Sequence, residues 1–137
     1  MVAQGSGHIV AISSLTGKFG SPFRSAYAAS KHALHGFFDS LRAELWKQNV
    51  LVTIVTPGFI RTNVSINALT EKGEALGEMD DAQAQGMDPM VCATKIVAGI
   101  EKNKNEILMG GKETMGVYIK RLFPNWFAKI IRKAKVR

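Results

Sequence analysis

The chain has 137 residues, a net charge of +7 at pH 7, 46% hydrophobic residues and 21% charged residues. This composition is that of a globular domain, and no apolar run is long enough to span a bilayer. The single cysteine, Cys92, excludes an internal disulfide and favours a reducing compartment. The N-terminus lacks the pattern of a signal peptide, so we expect an intracellular protein, either cytoplasmic or peripheral on a membrane.

The positive charge is concentrated at the C-terminal end. Residues 1–111 carry ten basic and ten acidic side chains, whereas residues 112–137 carry eight basic side chains and one acidic one. The body has no zinc-ligand spacing, aromatic RNA-binding motif or basic recognition helix, so we expect no nucleic-acid partner. His32 and His35 lack a third ligand, so we expect them on a helix surface and expect no metal site.

Segments with strand and helix signals alternate along the chain. Continuous apolar runs are typical of strands that are buried on both faces of a parallel sheet. Asp88-Pro89 is a favoured helix start, because aspartate caps the helix and proline fits its first position. The predicted elements are strand 8–13, helix 25–47, strand 51–56, helix 89–103 and strand 106–109. Their alternation indicates an α/β fold with right-handed parallel crossovers.

Two further segments complete the predicted organisation. Residues 61–87 are polar and weakly periodic, which is typical of a long loop that covers a site. Residues 112–137 form a basic extension to the domain at 1–111, with an amphipathic helix predicted after Pro124. This helix has the interleaved aromatic and basic residues of a segment that lies on an anionic membrane. The alternative is that its apolar stripe covers the domain.

Tyr27 and Lys31 are a candidate catalytic pair, because residues four apart share one face of a helix. A cation beside a phenol favours the phenolate, which lets a tyrosine exchange a proton near neutral pH. Alone, the pair has little weight, since such spacing arises often by chance. Ser14, at the end of the first strand, and Pro57-Gly58, at the end of the second, strengthen it, because ligands bind at these strand ends.

The arrangement resembles the short-chain dehydrogenase/reductase superfamily. The matching segments are GHIVAISS (7–14), YAASK (27–31) and TPGFIRT (56–62). The resemblance implies the C-terminal half of a Rossmann-like doubly wound parallel sheet. It also implies an oxidoreductase that interconverts a carbonyl and a secondary alcohol with NADP or NAD, NADPH being slightly favoured. The chain looks most like the branch of membrane-associated dehydrogenase/reductase family 7-type enzymes, some of which act on lipid or steroid carbonyls.

The resemblance also assigns roles to individual residues. It implies that Ser14 binds the substrate oxygen, that Tyr27 is the acid or base, and that Lys31 binds the nicotinamide ribose and favours the phenolate. Ser13 matches a serine with a structural role. The residues implied to bind the cofactor are Tyr27, Lys31, Pro57, Gly58, Ile60 and Thr62.

The glycine-rich phosphate turn of that superfamily has no counterpart in the 137 residues. We therefore expect a fragment that binds the cofactor poorly when alone and leaves one edge of its first strand open. The alternative function is a non-catalytic truncated paralogue that acts as a dimerisation or membrane-surface module. The resemblance implies a homodimer through the helix at 25–47, with the apolar positions Phe37, Phe38, Leu41 and Leu45.

Overall fold

The computed structural model describes residues 1–68, 73–75 and 77–134, which form strands and helices joined by short 3₁₀ turns. In chain order the elements are β1 (Gly7–Ile12), α1 (Ser25–Leu45), β2 (Val50–Pro57), α2 (Asp81–Ala84), α3 (Pro89–Glu101), β3 (Glu106–Met109), α4 (Met115–Leu122) and α5 (Pro124–Ile131). The strands and helices predicted in residues 1–111 are all present, with small shifts at their ends. Helix α2 is a short helix inside the predicted loop. Residues 69–72 and 76 of that loop, and Lys135 of the predicted basic helix, lie outside the described residues.

The three strands form one parallel sheet in the order β1-β2-β3, which confirms the α/β fold. Gly7 lies opposite Val50, and Ile54 lies opposite Glu106. In the central strand β2, Ile54 and Val55 are almost inaccessible to solvent. Burial on both faces explains why β2 reads as a continuous apolar run in the sequence. The carboxyl ends of all three strands meet at one edge, where parallel sheets place their ligands.

Strand β1 pairs only with β2 in the part of the chain that the structure describes. Its last residue, Ile12, is 50% exposed, although it lies opposite the fully buried Val55. The open edge predicted for the first strand is therefore present within these residues.

Helix α1 packs on β2 and on the turn after β1. Arg42 holds its C-terminal half, because Nε donates to the carbonyl oxygen of Val52 (2.9 Å) and Nη2 donates to that of Asn105 (3.0 Å). Phe37 is exposed, while the other predicted apolar positions are half-buried. Dimer contact through this helix stays a prediction.

Helix α3 begins as the sequence predicts. The carboxylate of Asp88 accepts hydrogen bonds from the backbone N–H groups of Met90 (2.9 Å) and Val91 (3.4 Å), and Pro89 opens the helix. The bond from Met90 is the main cause that lowers the pKa of Asp88, and the bond from Val91 and the Arg61 guanidinium act in the same direction. Helix α3 covers the apolar cluster that Cys92 forms with residues of β2 and β3. Burial raises the pKa of the Cys92 thiol.

The C-terminal region differs from the prediction of a single helix after Pro124. Helix α5 does begin at Pro124, but α4 precedes it. Proline disfavours helical geometry in the residue before it, and Phe123 accordingly leaves the helical region (φ −133°, ψ 62°). Phe127 follows the alternative prediction, in which the apolar residues of this segment cover the domain. It is buried and packs edge-to-face on Phe19, with 5.1 Å between ring centroids.

No helix in the described ranges is both long enough and apolar enough to cross a membrane.

Candidate active site

Tyr27 and Lys31 lie on one face of the first turns of α1, as their spacing predicts. The Lys31 ammonium Nζ lies 5.7 Å from the centroid of the Tyr27 ring, within the range of a cation–π contact. The same Nζ donates a hydrogen bond to the carbonyl oxygen of Ile12, at 3.2 Å. Tyr27 is 46% exposed, so a ligand can reach its side chain. The geometry therefore places a cation between an accessible phenol and the end of β1.

Ser14 follows β1 directly and caps the 3₁₀ turn Leu15–Gly17. Its Oγ accepts hydrogen bonds from the backbone N–H of Thr16 (3.2 Å) and from Thr16 Oγ1 (2.9 Å). A hydroxyl has two acceptor lone pairs and one donor proton, so these bonds leave its proton available for another oxygen. Thr16 was not among the residues predicted to form the site. The only local signal for it is a Ser-x-Thr spacing, which is typical of a side-chain turn.

Ser13 fastens α1 to the end of β1. Its side chain is buried, and its Oγ donates to the carbonyl oxygen of Lys31 at 3.2 Å. Gly17 lies at the same crossing, where a Cβ atom would come within 2.6 Å of Ser13 Oγ and 2.8 Å of the Lys31 carbonyl oxygen. The structural role that the resemblance implies for Ser13 is consistent with this position. The close approach at Gly17 was not visible in the sequence.

The end of β2 and the loop after it contain the four residues expected to bind the cofactor besides Tyr27 and Lys31, namely Pro57, Gly58, Ile60 and Thr62. The N–H of Gly58 donates to the carbonyl oxygen of Met109 (2.7 Å). Ile60 forms a parallel bridge with Met87. Gln83 Nε2 donates to the Ile60 carbonyl oxygen (3.0 Å) and to Thr62 Oγ1 (3.1 Å). These bonds hold the loop against residues 83–87.

Glu113 links the loop after β2 to the end of β3. Its Oε1 accepts hydrogen bonds from the N–H groups of Gly111 (2.9 Å) and Phe59 (3.3 Å). A Cβ atom at Gly58 would collide with this carboxylate and would come within 3.0 Å of Leu15 Cδ1. The turn that contains Leu15 and the loop at Gly58 are therefore in contact. The role of Glu113 was not predictable from the sequence, because Phe59 is 54 positions away along the chain.

The predicted site residues accordingly occupy one edge of the sheet. Ser14, Tyr27 and Lys31 gather at the end of β1, and the Pro57–Thr62 loop lies at the end of β2, next to the turn after β1. The described residues contain no group of three or more His, Cys, Asp or Glu side chains placed to hold a metal ion.

His35 contradicts the prediction of two surface histidines on α1. His32 is exposed, whereas His35 is buried (8% exposed). Its ring lies against Gly17, since a Cβ atom there would be 2.9 Å from His35 Cδ2. This face of α1 is covered because the helix approaches the turn after β1 so closely. Neither ring nitrogen has a hydrogen-bond partner within the described ranges.

We expect His35 to make the stability of the chain depend on pH. Burial, with a smaller contribution from Lys18, lowers its pKa from 6.5, against the opposing effects of Glu106 and Asp39. The unfolded chain therefore binds more protons, and the free energy of unfolding falls as the pH drops through about 6.5. His35→Leu removes this part of the pH dependence, measured by urea unfolding between pH 5 and 8. His32→Leu is the matched control and keeps it. If the free energy of unfolding depended on pH in the same way in His35→Leu and in the wild type, His35 could not be the source of that dependence.

Comparisons with known proteins agree with the fold. The family model described as short chain dehydrogenase matches residues 1–73. The chain is 47% identical over 132 residues to "Dehydrogenase/reductase SDR family member 7B" of Rattus norvegicus, covering 96% of this chain and 41% of the relative. It is 43% identical over 138 residues to "Dehydrogenase/reductase SDR family protein 7-like" of Drosophila melanogaster, covering 100% of this chain and 42% of the relative. The chain thus spans about two fifths of the length of these curated relatives.

Solved structures show the same fold. A short chain dehydrogenase from Burkholderia cenocepacia, in complex with NADP, superposes with a TM-score of 0.75 at 20% identity, covering 97% of this chain and 50% of that one. A short-chain dehydrogenase from Streptomyces avermitilis superposes with a TM-score of 0.68 at 28% identity, covering 98% and 54%. On the match of the family model to more than half of its residues, the chain belongs to the short-chain dehydrogenase/reductase family.

Proposed function

We propose that this chain is the catalytic half of an NAD(P)-dependent oxidoreductase that interconverts a carbonyl and a secondary alcohol. The observation that carries the proposal is the position of Lys31, whose ammonium faces the Tyr27 ring and binds the carbonyl oxygen of Ile12. This arrangement supports a proton-transfer role for Tyr27, because it brings a cation beside an accessible phenol. It lies beside Ser14, at the edge where parallel sheets bind ligands.

The residues present fit the nicotinamide end of such a cofactor. An ammonium group has three N–H donors, and one of those on Lys31 is used by Ile12. The other two N–H donors of Lys31 are available to the ribose hydroxyls of the cofactor. The Pro57–Thr62 loop lies at the adjacent strand end, fastened by Glu113 and Gln83. A nicotinamide cofactor, when bound, supplies the hydride.

The roles of the chain's own residues follow from these positions. In reduction the Tyr27 hydroxyl gives its proton to the carbonyl oxygen, and in oxidation the phenolate takes the proton of the alcohol. The Ser14 hydroxyl, oriented by Thr16, donates a hydrogen bond to the same oxygen. Lys31 supplies a positive charge beside Tyr27 and orients the ribose. The interactions of Ser14 and Tyr27 with the reacting oxygen strengthen as charge develops on it, which is the condition for catalysis.

The pyrophosphate end of the cofactor has no glycine-rich turn within the 137 residues. We propose that this half of the site is supplied by residues outside the present sequence. The test is a chimera in which the N-terminal part of the rat relative precedes residue 1 of this chain. We expect the chimera to oxidise NADPH in the presence of a vicinal diketone or a steroid ketone, and the 137-residue chain alone to turn over little.

The alternative of a non-catalytic paralogue makes a different prediction for the same pair of proteins. A chimera that binds NADPH, shown by enhanced cofactor fluorescence, but reduces neither ketone would contradict the proposed reaction. Turnover by the 137-residue chain at the rate of the chimera would contradict the proposed division of the site.

A further inference from the structure

Helices α4 and α5, with the residue between them, expose large apolar side chains to solvent. We call the surface formed by five of them the tail face. It consists of Tyr118, Leu122, Phe123, Trp126 and Ile130, all of which are exposed. Within each helix the members are four positions apart, so they share one side. Phe123 and Trp126 join the two helices through an edge-to-face contact, with 6.5 Å between ring centroids.

The opposite side of the two helices is fastened to the domain. Phe127 is buried in a cluster with Leu15 and Phe19. Lys120 Nζ donates to the carbonyl oxygen of Lys18, at 2.8 Å. Because these contacts occupy the inward side, the tail face is not needed to hold α4 and α5 on the sheet. An exposed surface of this kind marks an interaction site.

The charge around the tail face is positive. Arg121, Lys129, Arg132 and Lys133 are exposed on or next to the two helices, and neither helix contains an acidic residue. The only acidic residue of the C-terminal region, Glu113, is engaged with the backbone of Gly111 and Phe59. Aromatic and aliphatic side chains flanked by cations are the pattern of helices that lie in the interface of an anionic membrane.

A cationic cavity adjoins the tail face. It has a volume of about 470 Å³ and lies between α3, β3 and α4. Lys95, Lys102 and Lys104 line it, and Tyr118 belongs both to its wall and to the tail face. None of the residues that line it is acidic. Its size and charge suit a phosphate-bearing headgroup held beside the inserted aromatic side chains.

We infer that the tail face docks on a membrane surface that carries anionic lipids, with the lysine-lined cavity receiving a lipid headgroup. This inference does not depend on the proposed reaction. Charge complementarity favours this occupant over a second copy of the chain, since two copies would bring like charges together.

The chain contains a matched pair of reporters for the test. It has two tryptophans. Trp126 is in the tail face, whereas Trp46 lies beyond the end of α1, where it is exposed and also has a lysine nearby, Lys47 Nζ at 5.6 Å from its ring. Trp46→Phe leaves Trp126 as the only tryptophan, and Trp126→Phe leaves Trp46. Both positions are exposed, so we expect both variants of the full chain to fold.

We expect phosphatidylcholine vesicles that contain phosphatidylserine to shift the emission of Trp126 to shorter wavelength and to leave that of Trp46 unchanged. Pure phosphatidylcholine is expected to have little effect on either. The double variant Lys129→Gln/Arg132→Gln is expected to bind about tenfold more weakly. Equal shifts at both tryptophans, or no shift at Trp126, would overturn the inference. So would a Trp126 shift that depends on protein concentration without vesicles, which would indicate a second copy.

The role of the lysine-lined cavity is tested by a separate pair of variants. Lys102→Gln/Lys104→Gln is expected to weaken binding to phosphatidylserine vesicles by at least about fivefold, whereas Lys47→Gln is expected to leave it unchanged. Equal binding by the double variant and the wild type would refute the role of the cavity.

Discussion

Replacing Tyr27 by phenylalanine is expected to lower kcat of the chimera by about 10²–10⁴-fold, the usual contribution of a positioned acid or base. The change removes one oxygen from a side chain that is 46% exposed. We therefore expect the free energy of unfolding to change little. Because Tyr27 is also expected to contact the cofactor, we expect the dissociation constant for NADPH to rise, but less than when the Lys31 ammonium is removed. The loss should appear in kcat far more than in KM, because the interaction is made with the oxygen that gains charge.

Lys31 provides the contrasting variant. Lys31→Met removes the ammonium that lies between the Tyr27 ring and the Ile12 carbonyl oxygen. If Lys31 binds the ribose as proposed, this variant raises the dissociation constant for NADPH as well as lowering kcat. Tyr27→Phe and Lys31→Met are thus expected to separate proton transfer from cofactor binding. A Tyr27→Phe chimera that keeps more than about a tenth of wild-type kcat would contradict the assignment of Tyr27 as the acid or base.

The sheet was predictable because its signals are local. β2 is a buried central strand of a parallel sheet, so its apolar run is continuous and ends at proline. β1 has a similar apolar run that starts at glycine, although most of its residues are only half-buried. The start of α3 was predictable for a similar reason, since Asp88-Pro89 contains the whole capping interaction. Helix α4 was not predicted, because the helix-start signal of this region, Pro124, lies after α4 and marks only α5.

The contacts between distant segments were not predictable from the sequence. His35 is buried by the approach of α1 to Gly17, eighteen positions away. Glu113 reaches across from the end of β3 to the loop after β2. The burial of His35 and the contact of Glu113 both depend on how separate elements pack together. A sequence pattern within one element does not indicate that packing.

The candidate site was predictable from the sequence only in part. The helical spacing of Tyr27 and Lys31 predicted a shared face, and the position of Ser14 at a strand end predicted that it belongs to the same site. The resemblance to the family added the role of each residue. The bond from Lys31 to Ile12 and the orientation of Ser14 by Thr16 came from the structure. The catalytic and cofactor-binding roles themselves stay predictions, which the variants of Tyr27 and Lys31 test.

Gly17→Ala is expected to have the second large effect, because it separates α1 from the end of β1. The backbone of Gly17 is not in the left-handed region, so alanine can adopt its conformation. The cost is steric, since the added Cβ would press on Ser13 Oγ and on the Lys31 carbonyl oxygen. Overpacking of this kind costs about 1–3 kcal/mol. Because the same atoms join Ser13 to Lys31, the variant is also expected to displace Lys31 and to lower kcat of the chimera.

Gly36→Ala is the control for this prediction. Gly36 lies within α1, and nothing lies within 4 Å of an added Cβ atom there. Alanine is expected to raise the free energy of unfolding by about 0.5–1 kcal/mol, because it restricts the unfolded chain and favours the helix. Urea unfolding of the two variants should therefore shift in opposite directions from the wild type. If Gly17→Ala were as stable as Gly36→Ala, the tight crossing of α1 over the turn after β1 could not be what positions Lys31.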